Sequence, residues 1–200
     1  MQEAFSSLFG SFLIADLDLA DPNFSQSVVL IVEHNAEGAL GLVINRPLGL
    51  TAEQILPVDG EGDHRRSAFI PVHSGGPVEP QAVFCLHTGL PKHLLSATAR
   101  LVAPGLWFEP SFPSIQDYIA GATPDLPPDD RPTLKVYLGY AGWGAGQLER
   151  ELQQGAWQVL KARGSYVFFT PPHEIWRKAM EARGGFWGIV AQTGFKPSMN

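Results

Sequence analysis

Short apolar runs set apart by turn residues recur along this chain, and they do not alternate regularly with helical segments. A doubly wound parallel sheet follows each strand with a crossover helix, so that order disfavours it and favours a mixed α+β arrangement. The runs Phe12 to Asp16, Ser27 to Glu33 and Ala39 to Asn45 read as strands. "SVVLIVE" is apolar at successive positions, as a strand covered on both faces must be. The link "HNAEG" between the second and third runs suits an antiparallel hairpin with a longer loop. Further strands are expected at Ala68 to His73, Ala82 to Thr88, Ala99 to Ala103 and Thr133 to Ala141, with a late pair at Trp157 to Lys161 and Tyr166 to Thr170.

Helices are fewer and better punctuated. In "TAEQIL" Thr51 can cap while Gln54 reaches back, and in "SIQDYIAG" Ser114 can cap a short helix that Gly121 stops. "GAGQLERELQQG" places Leu148 and Leu152 one turn apart, with Gly155 as the stop. A last helix is expected after Thr170, with Ile175, Trp176, Ala179 and Met180 on its inner side. "PVDGEGDHRRS" (Pro57 to Ser67) and "GATPDLPPDDRP" (Gly121 to Pro132) read as exposed loops. With 200 residues, 44% of them hydrophobic, a single domain over 1–200 burying roughly 70% of its unfolded surface is the economical reading.

Charge and cysteine content narrow the function classes. Fourteen Lys and Arg against twenty Asp and Glu give a net charge of −6, which disfavours direct contact with a phosphate backbone. Arg65 and Arg66 are adjacent but sit beside Asp59, Glu61 and Asp63. The single cysteine, Cys85, lies in the apolar strand "AVFCLH" and reads as a buried, inert thiol. No segment reads as a membrane span, and a cytoplasmic protein is expected.

Three segments carry the polar and glycine-rich letters. In "YLGYAGWGAGQLERE", Gly142, Gly144 and Gly146 stand between a strand and a helix start, where free N–H groups can hold an anion. The dinucleotide pattern would need glycine at Gln147, and the phosphate-loop ending is absent. Both nucleotide readings fail, leaving a tight strand-to-helix crossing with Trp143 filling a core gap, and with Glu149 and Glu151 complementing the helix dipole. In "EHNAEGALGLVINRP", Glu33, His34 and Glu37 read as a solvated hairpin tip, since no His or Cys stands nearby to complete a metal site. Asn45 and Arg46 end the following strand, where a guanidinium can fork onto a carboxylate or phosphate, or pair internally. In "VHSGGPV", Ser74, Gly75 and Gly76 could donate backbone N–H groups. Val72 occupies the first position of a nucleophile elbow, so that motif is not encoded, although Ser74 with His73 or His87 leaves a hydrolase open.

Together these segments, "DPNFSQSVVLIVEHNAEGALGLVINRPL", "SGGPV" with "FCLH", and "YLGYAGWGAGQLERELQQGAW", resemble the AlgH or YqgE-like family of bacterial proteins, from about Leu13 to Trp176. Val83 and the ending "RGGFWGIVAQTGFKPSMN" depart from the family pattern. The resemblance implies one α+β domain with a coiled, partly barrel-like mixed or antiparallel sheet surrounded by a few helices. It also carries a link to gene regulation, and it supplies no catalytic set.

The expected function is therefore a non-enzymatic binding or regulatory domain. Its candidate surface collects Asn45, Arg46, Ser74, Gly75, Gly76, His87, Tyr140, Trp143 and Gln147. The partner would be a protein or small molecule, with no metal, cofactor, membrane or direct nucleic-acid contact. A hydrolase and a transcriptional regulator are the alternatives.

Overall fold

The computed structural model describes residues 6–55, 67–119, 126–127 and 131–196. In chain order the strands are β1 (Ser11–Ala15), β2 (Val28–Asn35), β3 (Gly38–Val43), β4 (Pro47–Thr51), β5 (Pro71–Ser74), β6 (Val78–His87), β7 (Arg100–Ala103), β8 (Leu106–Glu109), β9 (Leu134–Gly144) and β10 (Trp157–Lys161). The α-helices are α1 (Ala52–Ile55), α2 (Phe112–Ile119), α3 (Gln147–Gln153), α4 (Gly164–Phe168), α5 (Pro172–Arg183) and α6 (Gly185–Thr193). The strands form one sheet in the order β10-β1-β2-β3-β9-β6-β8-β7, with β5 beside β9 and β4 beside β5. All described pairings are antiparallel except β5 with β9.

Alternation assigns the faces. In β2, Val28, Leu30 and Val32 point into an inner core with Phe12, Leu42, Leu86, Phe108 and Tyr137. Val29 and Ile31 point outward to a second core with Trp143, Leu148 and Trp157. Both faces are covered, which is why the run is continuously apolar. A third core, under α1 and α2, holds Val72, Cys85, Ile115 and Val136. The sheet curls into a half-barrel. Its β7 edge comes back against the start of β1, where a Cβ at Gly10 would lie 2.6 Å from the Val102 carbonyl oxygen, and Arg100 reaches Glu33 at 3.3 Å.

β9 is the spine, and Gly139 resets it. Tyr137 faces inward and Leu138 outward. Gly139 then takes a φ of +69°, and the alternation restarts with Tyr140 inward, Ala141 outward and Trp143 outward. One extra residue in the left-handed region is a bulge, and it lets a single strand serve two halves of the sheet. On one flank β9 pairs with β5 over Val136 to Leu138 and with β3 over Ala141 to Gly144. On the other flank the β6 register shifts between Val78 and Val83.

Several sequence expectations hold. Thr51 N–H donates to Gln54 Oε1 at 2.9 Å, and α5 buries Ile175, Trp176, Ala179 and Met180. Others need correction: Ser67–Phe69 form a 3-10 turn, so the strand expected from Ala68 begins only at Pro71, and the hairpin after β2 turns through Ala36 and Glu37 alone. Tyr166 to Thr170 is not a strand: Tyr166 and Phe168 belong to α4, and β10 pairs with β1 instead. Ser114 lies inside α2, which starts two residues earlier at Phe112. β4 and β8 were not anticipated, since "PLGLT" and "LWFE" are too short to show a period. The expected loops fall largely outside the described residues. Gly185–Thr193 form α6, after which Lys196 Nζ reaches Asp16 and Asp18 at 2.8 and 2.9 Å.

If close backbone crossing is the purpose of the central glycines, Gly76→Ala should cost more than about 2 kcal/mol, because its Cβ would meet Tyr140 C at 2.2 Å with φ at +152°. Gly144→Ala, with nothing within 4 Å of its Cβ, should stay within about 0.5 kcal/mol in urea denaturation.

Candidate functional site

The three polar segments meet, but they do so through main-chain bonds. Ser74 N–H donates to the Arg46 carbonyl at 2.8 Å, Val43 N–H to the Gly75 carbonyl at 2.8 Å, and Gly75 N–H to the Leu138 carbonyl at 2.7 Å. A Cβ on Gly75 would come within 2.2 Å of the Gly139 oxygen. The glycines of "SGGP" are thus required for strand crossing and their N–H and C=O groups are not aimed at an open site.

The polar side chains are committed as well. Asn45 Oδ1 accepts from Val28 N–H and its Nδ2 donates to the Gln26 carbonyl, both at 2.9 Å. That clamp holds Gln26 at a φ of +51°. Arg46 donates to the Ser25 carbonyl. Trp143, 7% exposed, fills the outer core, and its indole N–H donates to Glu151 Oε2 at 2.9 Å. Trp157 donates to the same oxygen at 2.8 Å, and Gln147 Nε2 to Oε1 at 2.8 Å. Glu151 therefore gathers two indoles and an amide, a structural role that its reading as a dipole partner missed. Three donors converging on one carboxylate are invisible until Trp157 is folded back.

The hairpin expectation also changes. His34 is buried, 9% exposed. Its Nδ1 accepts from Leu8 N–H at 2.9 Å, so the proton resides on Nε2, which donates to Glu149 Oε1 at 2.9 Å. It is a cross-link between the chain's start, β2 and α3. Glu109, buried and unanticipated, accepts from Ser96 N–H at 2.9 Å and Ser111 N–H at 3.1 Å.

The histidines offered for hydrolysis do not assemble with each other. His73 lies opposite Tyr137 on the inner face, its ring 5.3 Å from the phenol ring. His87 is on the outer face, two residues from Cys85, and stacks on Trp107 at 6.2 Å. Ser74, next to His73 on the strand, points to the other side. All four imidazole nitrogens are buried without a hydrogen-bond partner. Burial, joined by the charge of Lys135, lowers His73 to about 4, and burial alone lowers His87 to about 4. Burial, followed by the Glu109 carboxylate, pushes the Cys85 thiol up, so it is an inert core group as expected.

What remains open is a groove at the upper mouth of the half-barrel. Gly142 and Gly144 are two residues apart on β9 and share its inner face with Tyr140. β3 sets Leu40 opposite Gly142 and Gly38 opposite Gly144, and β2 sets Glu33 opposite Leu40 and Asn35 opposite Gly38. Gly142 leaves bare backbone where a side chain would stand, while Gly38 lets β3 approach β9, since its Cβ would lie 2.1 Å from the Trp143 oxygen. The result is a hollow of about 480 Å³, walled by Tyr140, Val78, Leu40, Glu33 and Glu37. Gly142 and Gly144 are therefore strand residues, and the strand-to-helix turn comprises only Ala145 and Gly146. Tyr140 O–H donates to Glu79 Oε1 at 3.3 Å.

A kinked, curled sheet with helices on its faces and a glycine-floored mouth defines a single-domain α+β protein of the half-barrel type. The AlgH-like family model matches residues 12–187, and the chain belongs to that family. It is 40% identical over 182 residues to a UPF0301 protein of Thioalkalivibrio sulfidiphilus, covering 90% of this chain and 92% of the relative. A UPF0301 protein of Pseudoalteromonas translucida is 36% identical over 180 residues, covering 89% and 92%. The solution structure of the AlgH protein from Pseudomonas aeruginosa superposes with a TM-score of 0.71 at 33% identity over the whole of both chains. No described helix is long and apolar enough to cross a membrane.

Two outcomes follow from the buried groups. His73 and His87 titrate near 6.5 when unfolded and about 4 when folded, so the unfolded chain takes up protons first as pH falls. Stability is complete above about pH 6.5 and is lost toward pH 4, on the order of 2 kcal/mol per histidine by about pH 5. His73→Phe and His87→Phe should each flatten the pH dependence of the urea midpoint. Glu151→Ala should cost about 2–4 kcal/mol by leaving two indole N–H groups unpaired, and should shift tryptophan emission.

Proposed function

We propose that this chain is a non-enzymatic binding domain whose partner enters the glycine-floored groove. The observation that carries the reading is Gly142, which lines a hollow beside Tyr140 and whose Cβ would meet only side-chain atoms, so the sheet face there is bare. Glycine inside a strand weakens it and marks a place where something approaches the backbone closely. Tyr140 supplies a rigid aromatic wall of the kind that anchors interfaces. Among the described lining residues Glu33 and Glu37 are acidic and none is Lys or Arg, and Arg100 from outside the hollow pairs with Glu33 alone, so the fitting occupant is a protein segment presenting a basic side chain to Glu37. A regulatory role would then be exerted through that protein and not through DNA, in keeping with the net charge of −6.

A tagged full-length chain purified from its source organism tests this, with mass spectrometry of what accompanies it. A stoichiometric partner should be retained by wild type and by Arg177→Ala on α5, and lost with Gly142→Val and Tyr140→Ala. Gly142 tolerates filling, since its Cβ would meet only the Tyr140 ring edge at 3.2 Å and side-chain atoms beyond. The same protein set on Gly142→Val, or no partner on wild type, rejects the reading.

A further inference from the structure

The opposite end of the half-barrel carries a second site of different chemistry. Lys135, on the inner face of β9 one strand period before Tyr137, is only 7% exposed. Among the described residues it has no hydrogen-bond or ion-pair partner, so its ammonium is left to the cleft it lines. Beneath it the Tyr137 hydroxyl and both His73 ring nitrogens are buried without partners. Tyr137 and His73, on adjoining strands and facing inward, join Ser27 and His87 as the described residues with buried unpaired polar atoms, a costly arrangement.

Lys135 lines a cleft of about 370 Å³. Phe69, 84% exposed, stands at its mouth, and Pro71, Pro132 and Phe168 form apolar walls. Arg131, whose Nε donates to the Leu126 carbonyl at 3.0 Å, adds a second positive charge to the wall. None of the described residues lining the cleft is a carboxylate. We infer that this cleft binds a small organic carboxylate, whose acid group meets Lys135 and whose apolar part lies against Phe69 and Phe168. The Lys135 ammonium, with the Arg131 guanidinium in the same wall, favours an anion, while the apolar walls give nothing to inorganic phosphate. Burial depresses the Lys135 amine below the ordinary lysine range, and a bound carboxylate reverses that cost. The site is independent of the groove at the other mouth, so either can fail without the other.

The test uses the full chain labelled with ¹³C at lysine Cε and titrated with octanoate, with 1-octanol as the uncharged probe. Octanoate should move the Lys135 signal, raise the amine's titration midpoint and bind about tenfold or more tightly than octanol, one charge-assisted contact being worth at least that. Lys135→Met should cut octanoate affinity by about the same factor and leave octanol unaffected. Equal affinity for octanoate and octanol overturns the inference, as does an unmoved Lys135 signal or an octanoate affinity unchanged in Lys135→Met. Tighter binding of inorganic phosphate than of octanoate overturns it too. Should Lys135→Met not fold, the wild-type lysine signal and the two-probe comparison decide alone.

Discussion

The structure depends on one close backbone crossing, that of Gly75 and Gly76 over Gly139 and Tyr140. Gly75 bonds to β3 with its carbonyl and to β9 with its N–H, so a single residue ties the two halves of the sheet. A Cβ at Gly139 would come within 2.6 Å of the Gly76 oxygen, and only glycine takes the φ of +69° there without strain. The bulge that results changes which residues of β9 face inward. Without it Tyr140 and Gly142 would point outward, Trp143 would enter the barrel, and the groove would not exist.

Around that crossing the polar residues are spent on fixing chain direction. Asn45 holds the turn before β2, His34 joins the chain's start to α3, and Glu151 collects both indoles. Each bond satisfies a group that burial would otherwise leave costly. Asn45, His34 and Glu151 are therefore held by bonds that direct the chain, and openness has to be sought where side chains are missing or unmatched.

That distinction sets how far the sequence could be read. The strand β2, the helix α5 and the cap at Thr51 were legible because apolar period and capping chemistry are local. The family was legible from motif order, and with it the curled sheet. The groove was half legible: Tyr140 was placed near the end of an expected strand, but Gly142 and Gly144 were placed in the turn after it, because a strand containing "GYAGWG" defies propensity and owes its extension to β3 alongside. His34 looked solvated because Leu8 and Glu149, 26 and 115 residues away, supply its bonds. Lys135 drew no notice, since nothing local tells a buried lysine in "LKVYL" from one at a strand edge that reaches solvent.

The two mouths of the half-barrel differ in sign, and the packed interior keeps them so. Glu33 and Glu37 line the upper end, Lys135 and Arg131 the lower, while Leu42, Leu86, Phe108 and Tyr137 fill the space between. Low-dielectric packing between opposite charges preserves each local field where water would screen it. β9 runs the whole distance, from Lys135 to Gly144, and its only departure from regular alternation is Gly139.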